Sequence, residues 1–264
     1  MKYTKFLFTL LVTSQIFFSA NAQKLPKNEN SLYTAGHASA FIGGLYDAFY
    51  PYKQLLQHGD FGLGAPDQLD GELLILDGKI YQTQASGKTF EIKEGYTPFA
   101  VVNFFRPERN VVTLATNKTK DQLYAFLDSI LPNQNAIYAI RIKGSFAQIK
   151  TRAFPKVTQK PYAPLASMLA LQRFFSFNQI QGDLVGYRIP NYMEGSNISG
   201  YHFHFLSADK QAGGHIIELM TGGITIEIDE LAAFTVALPQ TDDFRKFDFK
   251  KDRRAEVKKV ENGN

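Results

Sequence analysis

The chain has 264 residues, 44% of them hydrophobic and 20% charged, with 23 Phe, 13 Tyr and no Cys. That length supports one domain or two small, closely joined ones, and the lack of Cys excludes disulfides outright. The net charge of +4 gathers near the C-terminus, in Lys246, Lys250, Lys251, Arg253 and Arg254, but acidic residues interrupt it. No basic stripe interleaved with stacking aromatics marks a nucleic-acid path.

Lys2 and Lys5 precede the apolar run FLFTLLVTSQIFF, and SANAQ offers small residues at Ala20 and Ala22. This is the pattern of a secretory signal peptide over residues 1–22. The run is shorter than the roughly 20 continuous apolar residues that span a bilayer, and it contains Thr and Ser-Gln. The expected product is exported, periplasmic or extracellular, with no stable membrane association.

From Leu32, LYTAGHASAFIGGLYDAFYPY reads as a strand-to-helix passage, and its His37, like His58 further on, is an isolated histidine with no ligand pattern. GELLILDGKIYQT places two strands around Asp77-Gly78, a hairpin signal. ASGK is a further turn and AVVNFF a strand. TKDQLYAFLDSIL predicts an amphipathic helix with a capping box from Thr119 to Gln122 and a stripe of Leu123, Phe126, Leu127 and Ile130. NAIYAIRIKGSFAQIKTRAF predicts strands around a turn at Gly144, and PYAPLASMLALQRFFSF a second helix from Pro164. GDLVGYRIP, HIIELM, ITIEID and AAFTVAL read as short strands, and a closing helix is expected from Lys250 or Lys251.

Pro and Lys between Phe154 and Ala163 suggest a boundary between two sheet-containing halves. The expectation is an α/β chain of the α+β type: a signal peptide over 1–22, a mixed-sheet subdomain over 23–158, and a second subdomain over 159–264.

YHFHFLSADKQAGGH, from Tyr201 to His215, holds three of the five histidines. Alternate residues of a strand share a face, so His202 and His204 point one way while Tyr201, Phe203 and Phe205 point to the apolar side. An antiparallel return through the two glycines would bring His215 beside them, giving a three-histidine site with an open position. Without Cys, the ligands are N and O donors, which suit zinc, manganese, iron or copper. A cupin-like site also begins His-x-His but follows with a Glu, and an alpha-class carbonic anhydrase site begins HFH but takes its third histidine from a later strand. Neither spacing fits.

FGLGAPDQLDGELLILDGKIYQ, YAIRIKGSFAQIKTRAF and IPNYMEGSNISGYHFHFLSADKQAGGHIIE together resemble the alpha-acetolactate decarboxylases, from Leu32 onward. The last segment is the most specific, since PxYMxG, His-x-His and SxDxxxGGH occur together. The resemblance implies a zinc (Zn2+) site of His202, His204 and His215 between the two closely packed subdomains. It also implies Glu72 at the metal and Arg152 as the active-site arginine, with Arg141 the rival position. A C-terminal glutamate completes the family site; spacing suggests Glu261, with Glu256 the fallback. Ala65 stands where many members carry Thr.

The implied reaction converts 2-acetolactate to acetoin and carbon dioxide, with zinc stabilising an enediolate, Arg152 holding carboxylate and one glutamate delivering a proton. A homodimer is also implied. Two alternatives remain at this point: another three-histidine zinc lyase or hydrolase acting on a small carboxylated substrate, and a noncatalytic exported metal-binding relative.

Overall fold

The computed structural model describes residues 30–113 and 117–263; the expected signal peptide lies outside them. In chain order the strands and helices of the first part are β1 (Ser31–Ala35), α1 (Ala38–Ile42), β2 (Tyr50–Pro51), α2 (Tyr52–Leu55), β3 (Phe61–Ala65), β4 (Glu72–Leu76), β5 (Lys79–Thr83), β6 (Thr89–Ile92), β7 (Tyr96–Thr97) and β8 (Phe99–Asn103). Then follow β9 (Arg109–Thr113), α3 (Lys120–Ile130), β10 (Ile137–Ala153), β11 (Arg173–Ile189), β12 (Gly200–Ser207), β13 (Gly213–Leu231), β14 (Ala233–Ala237), α4 (Asp242–Lys246) and α5 (Arg254–Asn262).

Two sheets carry the fold. One has the order β14-β1-β8-β3-β4-β5-β6, mixed because β14 runs parallel to β1. The other, β10-β11-β12-β13-β9, is antiparallel, and β10 also pairs with β13, so that it curls toward a barrel. The chain is therefore α/β with two sheet systems and few helices. The expected division at residue 158 does not coincide with them: β10 and β11, on either side of it, pair from Tyr138↔Arg188 to Ala153↔Arg173. The polar segment between them is a connection within one sheet.

Several elements follow local rules. Asp77 and Gly78 both take positive φ, 52° and 74°, and close β4 onto β5 as a two-residue hairpin. In α3, Thr119 Oγ1 accepts from the Gln122 amide at 3.4 Å, while Gln122 Oε1 accepts from the Thr119 amide at 3.0 Å. Other expectations are corrected. Gly144 is not a turn but a bulge inside the single 17-residue β10. Its φ is +146°, and a Cβ there would lie 2.2 Å from the Gly223 carbonyl. HIIELM and ITIEID are likewise one strand, β13. The helix expected from Pro164 is two short 3-10 turns, Leu165–Ser167 and Leu169–Leu171. Beyond them RFFSF joins β11, because aromatics favour a strand when β10 offers a ladder. The last helix starts at Arg254, after Asp252 Oδ1 has accepted the Arg254 amide at 3.0 Å.

Strand alternation sorts side chains into three cores. Leu73 and Ile75 join a cluster with Tyr52 and Leu55 on the outer face of the first sheet, whereas Leu74 and Leu76 face the second sheet. Phe203 and Phe205 enter the interior of the second sheet with Ile140, Phe146 and Leu184, beneath Leu123 and Leu127 of α3. Leu206 points the opposite way, into the space between the sheets. By parity His202 and His204 of β12 and Glu72 of β4 face that same space. Val257 and Val260 dock α5 onto it.

Phe146 is fully buried, so Phe146→Ala is expected to destabilise the fold by about 3–5 kcal/mol through the cavity it leaves. Thr119→Ala, which loses only the cap, costs about 1 kcal/mol. Urea unfolding followed by far-UV circular dichroism measures both.

Candidate metal centre and active site

The return hairpin does what the histidine spacing requires. His204 and His215 are direct partners across β12 and β13, and His215 is in turn the partner of Arg152 across β13 and β10. One rung of the second sheet thus presents His204, His215 and Arg152 side by side, with His202 two residues along β12. Gly214, at φ +117°, allows this approach: a Cβ there would sit 2.7 Å from the Arg152 carbonyl. Ser207 and Asp209 tie the turn, the Ser207 hydroxyl donating to the Asp209 carboxylate at 2.6 Å.

One ring nitrogen from each of His202, His204 and His215 lies within 4.8 Å of the others. Their remaining contacts show which nitrogens face inward. His204 Nδ1 is 2.7 Å from the Leu73 carbonyl, so Nδ1 carries the proton and donates. His204 Nε2 is left bare, buried and without a hydrogen-bond partner. His215 Nε2 is 3.3 Å from the Glu261 carbonyl and donates to it; His215 Nδ1 then turns its lone pair to His202 Nε2, 3.1 Å away. Metal-ligating histidines commonly donate their second N–H to a carbonyl in this way. The donor set therefore fits a metal ion.

Glu72, which as a strand residue beside a DG turn would ordinarily be exposed, is buried. Its Oε1 accepts from Arg152 Nη1 at 2.6 Å, and its Oε2 is 3.5 Å from His204 Nε2. Arg152 also donates from Nη2 to the Val260 carbonyl at 3.3 Å and stacks over Phe154, 4.9 Å from the ring centre. Glu261, on the last turn of α5, brings Oε2 to 3.8 Å from His202 Nε2 and 3.9 Å from His215 Nε2. All six side chains line one cavity, together with Ala65, Phe99 and Ile198.

The rival positions lie elsewhere. Arg141 is held by Asp183 at 2.9 Å, Asp77 at 3.4 Å and Glu227 at 3.9 Å. Glu256 pairs with Lys251 at 2.5 Å and Arg253 at 3.7 Å; five residues before Glu261, it points roughly 140° away around the helix. His58 stacks on Tyr33 at 3.7 Å, and His37 packs its ring against Phe249. The sequence reading missed the Leu73 and Glu261 carbonyls, which orient two of the histidines. It also missed Lys120, at the start of α3, whose charge opposes the upward shift of Glu261. No local pattern announces these, since each depends on how separate elements dock.

Burial lowers all three imidazole pKa values. His202 falls to about 3, with the Arg152 charge assisting, and His204 and His215 lie well below the usual value. Burial raises Glu72 to about 7 against the pull of Arg152, and raises Glu261 to about 7 against Arg152 and Lys120. The metal-free protein therefore has neutral histidines and, at pH 6, largely protonated glutamates that ionise by pH 8. A cation in the cluster favours carboxylate and lowers both values. Metal uptake at pH 6 is expected to release roughly one to two protons, and at pH 8 almost none, so that affinity rises with pH through about 7. Calorimetry in buffers of different ionisation enthalpy measures this; identical heats at pH 6 would contradict it.

A model of the alpha-acetolactate decarboxylase family matches residues 32–251, which include every site residue named above except those of α5. The alpha-acetolactate decarboxylase of Methanosarcina mazei is 36% identical over 231 residues, covering 87% of this chain and 80% of that protein. That of Methylococcus capsulatus is 34% identical over 239 residues, covering 90% and 91%. The X-ray structure of alpha-acetolactate decarboxylase from Bacillus subtilis strain 168 superposes with a TM-score of 0.84 at 30% identity, covering 89% of this chain and 100% of that one. With a matching family model across most of its length, the chain belongs to the alpha-acetolactate decarboxylase family and is an enzyme, a carboxy-lyase.

Proposed function

We propose that the protein decarboxylates 2-acetolactate to acetoin and carbon dioxide, using zinc held by His202, His204 and His215. The observation that carries this reading is the convergence of Arg152, Glu72 and Glu261 on the histidine cluster in one buried cavity. Bound zinc would supply Lewis acidity for the charge that builds on the substrate oxygens as carbon dioxide leaves. The bond between the carboxylate carbon and C2 breaks, and its electron pair passes into the neighbouring ketone, leaving the enediolate. No separate electron-sink cofactor is needed.

Arg152 is anchored by Glu72, the Val260 carbonyl and the Phe154 ring. Its fixed fork can orient the substrate carboxylate before the bond breaks and hold negative charge as it develops. Its Nε is buried without a hydrogen-bond partner, so it retains a donor for such an oxygen. A carboxyl group whose pKa lies near 7 keeps a proton at neutral pH and can still give it up, which suits general acid catalysis. Burial raises Glu72 and Glu261 toward that range and a bound cation pulls them back, so in the loaded site either can pass between acid and carboxylate. One of them protonates C2 from a fixed direction, which makes the acetoin chiral. Ala65 places a methyl group in the cavity wall, so substrate orientation falls to the charged groups. Export through the residue 1–22 segment and assembly as a homodimer complete the proposal.

Metal-loaded protein mixed with racemic 2-acetolactate is expected to form acetoin of one predominant hand, read on a chiral column. A rate no greater than the spontaneous one would refute the proposal. Arg152→Ala should lower kcat about a hundredfold or more, whereas Arg141→Ala should change it little. Of Glu72→Gln and Glu261→Gln, the variant whose residual product loses its handedness identifies the proton donor.

A further inference from the structure

The buried site borders two outer cavities, divided from it by different walls. On one side Phe41 forms the shared wall with a large cavity that holds Lys160, Lys246, Asp47 and Asp243. Phe41 stacks on Phe99 with ring centres 5.6 Å apart, and both rings are buried. A carboxylate crossing there would lose its hydration with no polar group to replace it. On the other side Glu261 is the shared wall with a cavity lined by Asn191, Glu194, Ser199 and Tyr201 and by Arg254 and Lys258 of α5, where the Glu194 carboxylate accepts from the Ser199 hydroxyl.

Exposure within the site points to the second side. The His204, His215 and Arg152 side chains are 2–4% exposed, as Glu72 is at 9%, but His202 and Glu261 reach 11% and 17%. Solvent therefore meets the site at His202 and Glu261. On α5, Arg254, Lys258 and Glu261 are spaced i, i+4 and i+7 and share a face, making a charged stripe that runs from the outside to the cluster. Arg254 is neutralised by Asp252, with Nη2 to Oδ2 at 2.6 Å. Among the described residues no carboxylate pairs with Lys258, which is exposed.

We infer that the mouth of the active site lies between α5 and the start of β12, and that Lys258 is a specificity residue which draws the substrate's carboxylate in through it. The inference rests on the proposal that the substrate is anionic. Lys258 touches no reacting atom; it raises the local concentration of anions one helical turn before Glu261, and salt screens that effect.

The test is steady-state kinetics of metal-loaded protein on 2-acetolactate for Lys258→Gln, Lys258→Glu and, on the opposite cavity, Lys246→Glu. At low salt kcat/KM should fall about threefold for Lys258→Gln and about tenfold for Lys258→Glu. In both variants kcat should stay within about twofold, and the differences should vanish near 1 M salt, where screening acts within ~3 Å. Lys246→Glu should match the unsubstituted protein. An unchanged kcat/KM for Lys258→Glu at low salt, a loss that persists at 1 M salt, or an equal loss in Lys246→Glu would overturn the inference. No turnover by the unsubstituted protein would instead overturn the decarboxylase reading, and this inference with it.

Discussion

The Arg152–Glu72 ion pair, closed at 2.6 Å between two apolar sheets, constrains the surrounding structure. Each charge alone in that space would cost several kcal/mol of lost hydration. The pair is tolerated because β4 supplies the carboxylate, β10 the guanidinium, and the Val260 carbonyl and Phe154 ring complete the arginine's surroundings. Glu72 must begin its strand in phase with Leu74 and Leu76, and α5 must dock so that its last carbonyls point inward. The two sheets are thus held in register by a polar contact whose geometry leaves little freedom, while Leu, Val and Phe side chains supply the bulk of the burial.

That arrangement separates two electrostatic regimes a few ångströms apart. Deep in the cavity, burial keeps imidazoles neutral and raises the carboxyl pKa values to about 7, against the pull of Arg152. At the rim, water returns and Lys258 is exposed to it. In the proposed reaction a substrate passing from rim to floor would exchange hydration for a fixed set of donors, with the Arg152 fork making the exchange favourable for a carboxylate.

The clustering of the three histidines was legible because it is local in sequence. His202, His204 and His215 sit on one hairpin, and strand alternation with a glycine-rich return is enough to bring them together. The hairpin at Asp77-Gly78 and the cap at Thr119 were readable for the same reason. That Glu72 and Arg152 lie beside the histidines was expected only from family resemblance: 80 residues part them, and the sequence around Glu72 describes an ordinary turn-flanking strand. The unity of β10 was missed because a bulge at Gly144 and a turn there look alike without the partner strand. The sheet division was missed for a related reason, since a Pro- and Lys-containing connection inside one sheet has the composition of a linker.

The second nitrogens of two histidines answer to different parts of the molecule. His204 is fixed by the Leu73 carbonyl of the first sheet, and His215 by the Glu261 carbonyl of α5. The orientation of these two candidate ligands is therefore a readout of whether that sheet and that helix are docked. By thermodynamic reciprocity, whatever free energy a bound metal contributes to the docking of α5, the docked helix contributes to metal affinity. In a chain with no disulfide to hold its distant segments together, the cofactor and the closing helix would then act as mutual effectors, each the condition for the other's tight binding.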